Sequence, residues 1–488
     1  MRLRRVSPRP CGGLLLYHGE VVYRLLTWFL RAVTHVFFRQ VEVVGLENIP
    51  ATGGVLFAGN HPNSLIDPIL IITSCGRKVH FAAKDALFKG RLMRALLRGL
   101  GAVPIQRRDD HDGAPRRDPP PPGAAPGPPP GAPVDNESAF AAMFAVLASG
   151  GAIGIFPEGL SHDSSQLARL KTGAARLALG GAHRAAAPVA IVPCGLSFIH
   201  PKRFRSRVLV QYGPPIAIAP EPAPPTAEAV RALTGELDAA LRRLTVNAPD
   251  WDTVRALDAV RRLYQPHAIS IGDRVELARR FNTHYAAVAA EPRVVELMRR
   301  VLAYQLRLDE LGISDRELTR ELSSGEVAVR LVRHLALVAF WLPLMVPGAL
   351  LHVPALVFAR IAGPRLTPRK DVIATTKLLI GMLLVVLSYA AAVGVLWWRA
   401  GLVAALIATL VLPLSGVATL RVLDRLRLVR RAFGVLLRRL RFRREVAALR
   451  LERDRLAGDV VRVVSDVKPA ELPALFPPGD PRRPESRP

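Results

Sequence analysis

The sequence predicts an α/β protein in which a largely parallel central sheet is flanked by helices, followed by a helical region and C-terminal transmembrane helices. Three observations predict this organisation. Short β-type runs alternate with helical stretches over residues 41–225, polar residues follow three of these runs, and long apolar segments lie beyond residue 330. Alternating strands and helices are typical of parallel sheets, and about 20 apolar residues are needed to cross a bilayer.

The amino-acid composition indicates which classes of molecule the chain is suited to bind. The chain has 488 residues, enough for two or three domains, and 67 Lys and Arg against 40 Asp and Glu give a net charge of +27. Aromatic residues are few and do not alternate with the basic clusters, which argues against nucleic acid as the binding partner. The basic residues crowd next to apolar spans, which favours anionic membrane lipids as partners. Three isolated cysteines predict neither a disulfide framework nor a zinc site.

Residues 1–40 are predicted to form an amphipathic N-terminal helix. Polar residues recur at steps of three or four from Glu20 to His35, and apolar residues fill the rest of the helical wheel. The segment is not typical of a signal peptide, because its apolar stretch Leu14–Leu16 is cut short by polar residues. Packing on the chain's own domain and lying in a membrane interface are both compatible with this pattern.

The next predicted unit, residues 41–225, carries the strand and helix alternation. One segment inside it, residues 109–136, is mostly Pro, Gly, Ala and Asp/Arg, and is expected to be a disordered insertion. The predicted strands are Val41–Val44, Val55–Ala58, Val79–Ala82, Ala102–Gln106, Ala152–Phe156, Val189–Val192 and Arg207–Tyr212. The predicted helices are Pro68–Ser74, Asp85–Arg98, Glu137–Ser149 and Gln166–Gly181.

Residues 226–330 are predicted to be helical, and residues 331–420 to form a membrane region. Leu378–Trp398 and Gly401–Leu420 are almost uncharged and are separated by two residues, which predicts a helical hairpin. An earlier apolar stretch, Leu335–Phe358, contains three prolines. It could be re-entrant, could lie on the surface, or could span the bilayer.

Charge asymmetry predicts the orientation of the membrane region. The hairpin tip carries only Arg399, whereas the link before the hairpin and the chain after Leu420 are rich in arginine. The positive-inside rule therefore places link, tail and the preceding domain on the cytoplasmic face. Residues 421–488 are expected to form a basic cytoplasmic tail, because the run 421–456 holds 13 arginines against four acids and suits anionic headgroups.

The stretch Phe57–Leu70, FAGNHPNSLIDPIL, ends a strand in a tight loop that holds His61 and Asp67. A structural interpretation is that Asp67 caps the helix that Pro68 begins. A functional interpretation is that the loop returns the Asp67 carboxylate to one nitrogen of His61, leaving the other nitrogen for a substrate hydroxyl. On a continuous helix the two side chains would point to opposite sides, so the loop is expected to double back.

Four sequence blocks in order decide between these interpretations. They are NHPNSLIDP, GAVPIQR, IFPEGLSHD and IVPCGLSF, each overlapping or directly following the end of a predicted strand. Over about Gly45–Ile216 the set resembles the glycerolipid acyltransferase family, which esterifies glycerol-3-phosphate or lysophosphatidic acid with a fatty acyl thioester. Two departures, five residues between His61 and Asp67 and Ser-His-Asp after Glu-Gly-x, look like its fungal-type glycerol-3-phosphate/dihydroxyacetone-phosphate branch.

The resemblance implies a set of site residues. His61 would act as general base and Asp67 would orient it, with Asn63 tying the turn together. Arg107 would bind the acceptor phosphate, and Glu158 would contact acceptor hydroxyls beside Gly159. An arginine of the family is replaced here by Ser161-His162, and Lys171 is the candidate to supply the missing charge, whereas His162 itself is expected to be a surface or capping residue. Pro193 would shape the acyl channel, and the third block also assigns substrate binding to Phe156, Pro157 and Ser161.

The function that the sequence predicts is acyl transfer to the sn-1 hydroxyl of glycerol-3-phosphate by an enzyme at the cytoplasmic face of a membrane. The donor would be acyl-CoA or acyl-ACP, a co-substrate, with no cofactor and no metal. One alternative is 1-acylglycerol-3-phosphate, that is lysophosphatidic acid, as the acceptor. Another, from a different class, is a non-catalytic basic membrane scaffold.

Overall fold

A computed structural model describes residues 14–105, 137–265, 269–319 and 324–469. The insertion predicted at residues 109–136 lies outside the described residues. Within them, the prediction of a largely parallel sheet flanked by helices, followed by helices that include long apolar ones, is confirmed.

Eight strands form one sheet, in the order β1-β7-β6-β2-β5-β3-β4, with β8 pairing to β6. Neighbours are parallel except where β6 meets β7 and β8, which are antiparallel to it. The strands are β1 (Phe38–Val44), β2 (Gly54–Gly59), β3 (Val79–Lys84), β4 (Val103–Ile105), β5 (Ala152–Ile155), β6 (Val189–Phe198), β7 (Ser206–Tyr212) and β8 (Ile216–Ile218).

The centre of the sheet positions the functional loops. β2 is fully buried and lies between β5 and β6, parallel to both. The carboxyl ends of parallel neighbours lie at one edge of a sheet. The loop after β2, which begins at Asn60, therefore lies beside the loop that starts at Phe156 after β5.

Helices cover both faces of this sheet and enclose two apolar cores. They are α1 (Leu14–Phe37), α2 (Ile66–Ser74), α3 (Arg91–Gly99), α4 (Glu137–Ala148), α5 (Gly173–Ala185) and α6 (Ala227–Leu244). Because Val230, Leu233, Leu237 and Leu241 of α6 belong to the core under α4 and α5, the structural unit continues past the predicted boundary at residue 225.

Three predicted helices have different limits in the structure. α2 begins at Ile66, two residues before Pro68. The helix predicted at Asp85–Arg98 is a 3₁₀ turn, Asp85–Phe88, followed by α3, because Gly90 adopts an extended conformation between them. α5 begins at Gly173 rather than Gln166, because three preceding amide groups bond to Asn247, Glu158 and Pro157 instead of to a helix.

The N-terminal helix α1 is amphipathic, as predicted, and packs by one face on the sheet domain. Tyr23, Leu30 and Phe37 are buried on that face. Leu25 and Trp28 remain exposed on the other, at 62% and 69%. The helix therefore packs on its own domain and still presents an apolar surface.

A third core is formed by helices that follow the sheet domain. It involves α7 (Trp251–Tyr264), α9 (Pro292–Glu310), α10 (Asp315–Thr319) and α13 (Arg443–Val467), with α8 (Ile271–Val288) beside them. The basic tail is thus partly folded back into this core. Arg453 of the predicted headgroup-binding run is buried and paired with Asp315, so it is not available to lipid.

Two helices are long and apolar enough to cross a membrane by length and composition, within α11 (Ser324–Arg365) and α12 (Ile373–Arg441). α12 is interrupted at Gly401, whose φ of 83° breaks the helix into two arms. The Tyr389 hydroxyl donates to the Leu412 carbonyl at 2.9 Å, which places the arms side by side and antiparallel. This arrangement is the helical hairpin that the sequence predicts.

α11 is bent so that both of its ends lie at the foot of this hairpin. Near its start His334 contacts Arg425, and near its end Gly363 lies against Lys377; residues 425 and 377 are at the foot of the two arms. Its middle reaches deeper, where His352 lies 2.6 Å from the Tyr389 hydroxyl. Tyr389 is about 18 Å along its arm from Lys377 at 1.5 Å per residue. A straight helix could not make these contacts together, and Pro343, Pro347 and Pro354 stand near the turning point.

Candidate functional site

The loop after β2 folds back on itself as the sequence predicts. His61 Nδ1 lies 2.9 Å from Asp67 Oδ2, and the same oxygen accepts the Asn63 amide at 2.7 Å. Ser64 adopts a left-handed conformation, with φ at 48°, which reverses the chain between them. The His61–Asp67 pair is therefore built by a turn that starts directly at the strand end.

Asp67 is fully buried in the first turn of α2. Its carboxylate does not cap the free amides of that helix, because Oδ2 is bonded backward to the His61 loop and Oδ1 has no hydrogen-bond partner. The structural interpretation of Asp67 as a helix cap is therefore wrong. Burial raises the pKa of Asp67, while the hydrogen bonds from His61 and Asn63 favour its charged form.

The imidazole of His61 is held flat against Phe156. The two ring centroids are 4.0 Å apart with an angle of 7° between the planes, and Phe156 stacks in turn on Phe81. The side chain of His61 is 11% exposed. Among the described residues, no hydrogen bond reaches Nε2. Phe156, predicted to bind substrate, thus orients the histidine ring.

Glu158 bonds to the histidine loop rather than facing an open cleft. One carboxylate oxygen accepts the His61 amide at 2.7 Å, and the other accepts the Ala168 amide at 2.8 Å and contacts His162 Nε2. Its side chain is 1% exposed. A role in contacting acceptor hydroxyls, which the sequence predicts, does not fit this burial, whereas a role in holding His61 does.

His162 belongs to the site, although the sequence predicts it to be a surface or capping residue. Its amide donates to the His61 carbonyl at 3.1 Å, and its ring pairs with Glu158. The hydrogen bond with Glu158 raises the pKa of His162 against an opposing effect of burial. The spacing of four between Glu158 and His162 was the available signal, but it suggests a pair only on a helix, and this segment is a loop.

Two asparagines anchor the histidine loop to β6 and beyond. Asn60, which the sequence analysis did not single out, donates to the Leu196 carbonyl and accepts the Leu196 amide. Asn63 is buried, and its side chain donates to the Pro201 carbonyl at 3.1 Å. The Asn63 side chain therefore ties the turn to the β6–β7 connection rather than closing the turn on itself.

The third block is a tight turn in which Gly159 has a positive φ of 79°. A Cβ at this position would lie 2.7 Å from Cδ of Lys171, whose side chain crosses over the glycine. The Lys171 amide donates to the Pro157 carbonyl at 2.7 Å. Pro157 is buried, so it shapes this turn, and Gly159 admits the lysine stem.

Ser161 connects the site to the membrane region. Its hydroxyl donates to Asp371 in the link between α11 and α12, and its carbonyl accepts Arg369 Nη2 at 2.9 Å. Nearby, the Thr375 hydroxyl lies 3.4 Å from the Asn63 carbonyl. Ser161 therefore docks the foot of the hairpin beside the histidine loop.

The two remaining predicted site residues are Pro193 and Arg107. Pro193 is buried in β6, level with Ala58 of β2, and its carbonyl accepts the Gly213 amide. Its role in an acyl channel stays a prediction. Arg107 lies outside the described residues. Among those described, no group of three or more His, Cys, Asp or Glu could hold a metal ion.

Two family models match the chain. Residues 40–197 match the model described as Acyltransferase, and residues 256–472 match the one described as Glycerol-3-phosphate acyltransferase 2 C-terminal domain. The first contains the histidine loop and Ser161, and the second contains the link with Arg369. The two sides of the docking contact therefore belong to the two matched domains.

Two similar yeast proteins are both named as glycerol-3-phosphate O-acyltransferases. Glycerol-3-phosphate O-acyltransferase 2 of Saccharomyces cerevisiae is 27% identical over 76% of this chain and 65% of its own length. Glycerol-3-phosphate O-acyltransferase 1 of the same yeast is 27% identical over 74% of this chain and 59% of its own. The chain thus spans less than two thirds of these curated relatives. A crystal structure of a 1-acyl-sn-glycerophosphate acyltransferase from Thermotoga maritima aligns with 47% of this chain and 80% of its own, at a TM-score of 0.32 and 21% identity.

Proposed function

Because the chain belongs to the glycerolipid acyltransferase family that these models and relatives define, we propose that it transfers a fatty acyl group from a thioester to the sn-1 hydroxyl of glycerol-3-phosphate. The single observation that carries the proposal is the 2.9 Å contact between His61 Nδ1 and Asp67 Oδ2 on a loop at a strand end. The named activity of the two yeast relatives supports glycerol-3-phosphate as the acceptor.

The geometry supports a general-base mechanism. With a proton on Nδ1 donated to Asp67, His61 Nε2 is the basic nitrogen and accepts the proton of the acceptor hydroxyl. The oxygen then attacks the thioester carbonyl carbon and forms a tetrahedral oxyanion. When that intermediate collapses, the carbon–sulfur bond breaks, the ester remains, and the departing thiolate takes the proton from His61.

The surroundings of the histidine support this role for its ring. Stacking on Phe156 fixes the plane of the imidazole, and the bond from the His61 amide to Glu158 fixes its backbone. Such pre-organisation matters because a base must stay within hydrogen-bond distance of the proton it removes. Glu158 and Phe156 are then positioning residues.

The proposal includes a cytoplasmic orientation and a lipid surface. The end of α11 carries Arg360 and Arg365, and the link between α11 and α12 carries Arg369 and Lys370. The link docks on the histidine loop, so the site and these cations share one side. By the positive-inside rule that side is cytoplasmic, where anionic lipids attract basic residues. Acyl-CoA or acyl-ACP would be the donor, with no cofactor required.

The decisive experiment measures acyl transfer by the purified full chain in lipid vesicles. Radiolabelled glycerol-3-phosphate and lysophosphatidic acid are offered separately with acyl-CoA and with acyl-ACP. We expect the product of glycerol-3-phosphate to dominate. His61→Gln and Asp67→Asn should each lower kcat by about 10²–10⁴-fold without loss of membrane association.

A matched control variant is His183→Gln, because His183 bonds to the Glu221 carbonyl away from the site. It should retain full activity. Preference for lysophosphatidic acid would replace the acceptor in this proposal and keep the mechanism. Unchanged transfer by His61→Gln would reject the base, and no transfer to either acceptor by the parent chain would favour the non-catalytic membrane scaffold.

A further inference from the structure

The link between α11 and α12 brings an arginine to the rim of the histidine loop. Arg369 Nη2 donates to the Ser161 carbonyl at 2.9 Å, in the same block as Glu158 and His162. Next to Ser161, the His162 amide bonds to the His61 carbonyl. Arg369 is therefore separated from the backbone of the proposed base by a short, continuous chain of contacts.

The guanidinium of Arg369 is fixed on one edge and exposed on the other. Asp371, which is buried, accepts Nη2 at 2.8 Å and Nε at 3.3 Å, and the Ser161 hydroxyl also lies 3.2 Å from Nη2. Among the described residues, Nη1 makes no hydrogen bond, and the side chain is 59% exposed. A guanidinium held in this way keeps donors for an anion while losing little side-chain freedom on binding.

The charges around Arg369 leave this position suited to an anion. Asp371 balances part of the charge of Arg369, but its carboxylate is used by Ser161 and by the inner edge of the guanidinium. The nearby Asp163 is paired with Lys202 at 2.6 Å. His162 is bonded to Glu158, which favours its cationic form. Lys370, next in the chain, is exposed and adds a further positive charge.

We propose that Arg369 binds the phosphate group of the acceptor, so that the segment before the membrane hairpin completes the acceptor site. This inference rests on the proposed function. Arginine matches phosphate oxygens through its planar set of N–H donors. The position differs from the sequence expectation, which assigned the missing charge to Lys171, and it gives the C-terminal domain a direct part in acceptor recognition.

The test compares Arg369→Ala and Arg369→Lys with a control, Arg365→Ala, in the full chain. Arg365 is exposed in the same region and forms no hydrogen bond or ion pair among the described residues. For Arg369→Ala we expect the KM for glycerol-3-phosphate to rise about tenfold to a hundredfold, with the KM for acyl-CoA unchanged. Arg369→Lys should recover part of the loss, and Arg365→Ala should behave as the parent chain.

A second measurement separates phosphate binding from a structural role. Inorganic phosphate should inhibit the parent chain and Arg365→Ala competitively against glycerol-3-phosphate, and it should inhibit Arg369→Ala at least tenfold more weakly.

The outcomes separate the two proposals. If the parent chain transfers acyl groups and Arg369→Ala keeps its KM for glycerol-3-phosphate, the inference is wrong while the proposed function stands. A fall of kcat with equal changes in both KM values and a lower Tm would also overturn it, because that result describes a folding defect. If the parent chain acylates neither phosphorylated acceptor, the proposed function fails and the inference fails with it.

Discussion

At the scale of single residues, the site is a set of buried polar groups with mutually dependent hydrogen bonds. Asp67 and Glu158 are both buried carboxylates, and each bonds to the backbone or the ring of the histidine loop. A buried carboxylate without such donors would be strongly destabilising. Removing one partner is therefore expected to affect the shape of the loop as well as its charge.

The pairing of His162 with Glu158 predicts a pH-dependent stability. Because the pKa of His162 is raised in the folded chain, its stabilising contribution is complete below about pH 6.5, the ordinary value, and is lost as the pH rises through the folded pKa. His162→Gln should lower the free energy of unfolding by about 1.5–3 kcal/mol at pH 6, the contribution of a charge-assisted hydrogen bond.

Thermal denaturation of the parent chain and of His162→Gln between pH 5.5 and 9 measures this effect. The difference in Tm should be largest at the acidic end and should shrink as the pH rises. His183→Gln, outside the site, serves as the control. A difference that is constant over the whole range would show that protonation of His162 does not stabilise the fold.

At the scale of elements, the strand ends and the turns between them bring the site together. The fold class and the His61–Asp67 turn were predictable, because strand periodicity and the Pro62-Asn63-Ser64 turn are local signals. The late start of α5 was not predictable, because its first amides bond to Glu158 and to residues distant in the chain. The antiparallel β8, with three residues, gave too short a pattern to recognise.

The left-handed conformation of Ser64 predicts opposite effects of two substitutions. Ser64→Gly should stabilise the loop or leave it unchanged, because glycine adopts a φ of 48° without the cost of about 1–2 kcal/mol that an L side chain has there. Ser64→Val should lower kcat at least tenfold, because a β-branched residue resists this conformation and would displace Asp67 from His61.

Acyl-transfer assays with both variants, together with Tm values, provide the measurement. Both substitutions remove the serine hydroxyl and differ in backbone preference, so each acts as a control for the other. Equal activity of Ser64→Gly and Ser64→Val would mean that the geometry of this turn does not determine the reaction.

At the scale of the whole molecule, contacts far apart in sequence join the sheet domain to the membrane region. Arg205 bonds to Asp424 at the foot of one arm of α12, and Lys377 at the foot of the other donates to the Lys202 carbonyl. These contacts and the position of Arg369 were not predictable from the sequence, because each contact joins residues that lie 175 to 219 positions apart. Only the folded chain brings them together.

The bent form of α11 predicts that its two ends lie on the same side of the membrane. The test uses a chain whose own three cysteines have been replaced. One new cysteine is introduced at a time, in place of Val329, Leu366 or Leu402, all of which are exposed. In sealed vesicles, a membrane-impermeant maleimide should label the first two positions from the same side and Leu402, near the hairpin tip, from the other. Both ends of α11 contact the foot of the hairpin, which is the physical reason.

Permeabilised vesicles give the control, since all three positions should then be labelled. Labelling of Val329→Cys and Leu366→Cys from opposite sides would mean that α11 crosses the bilayer completely. Labelling of all three from one side in sealed vesicles would mean that the α12 hairpin does not span it.

The ties of Lys202 and Arg205 to the foot of α12 hold the sheet domain at a constant height over the membrane plane in which we propose that the hairpin is embedded. An enzyme fixed in that way meets a lipid-soluble donor by lateral diffusion in two dimensions. Its rate should then follow the mole fraction of a long-chain thioester in the vesicle surface, and adding inert phospholipid at constant total thioester should slow the reaction by dilution within the plane.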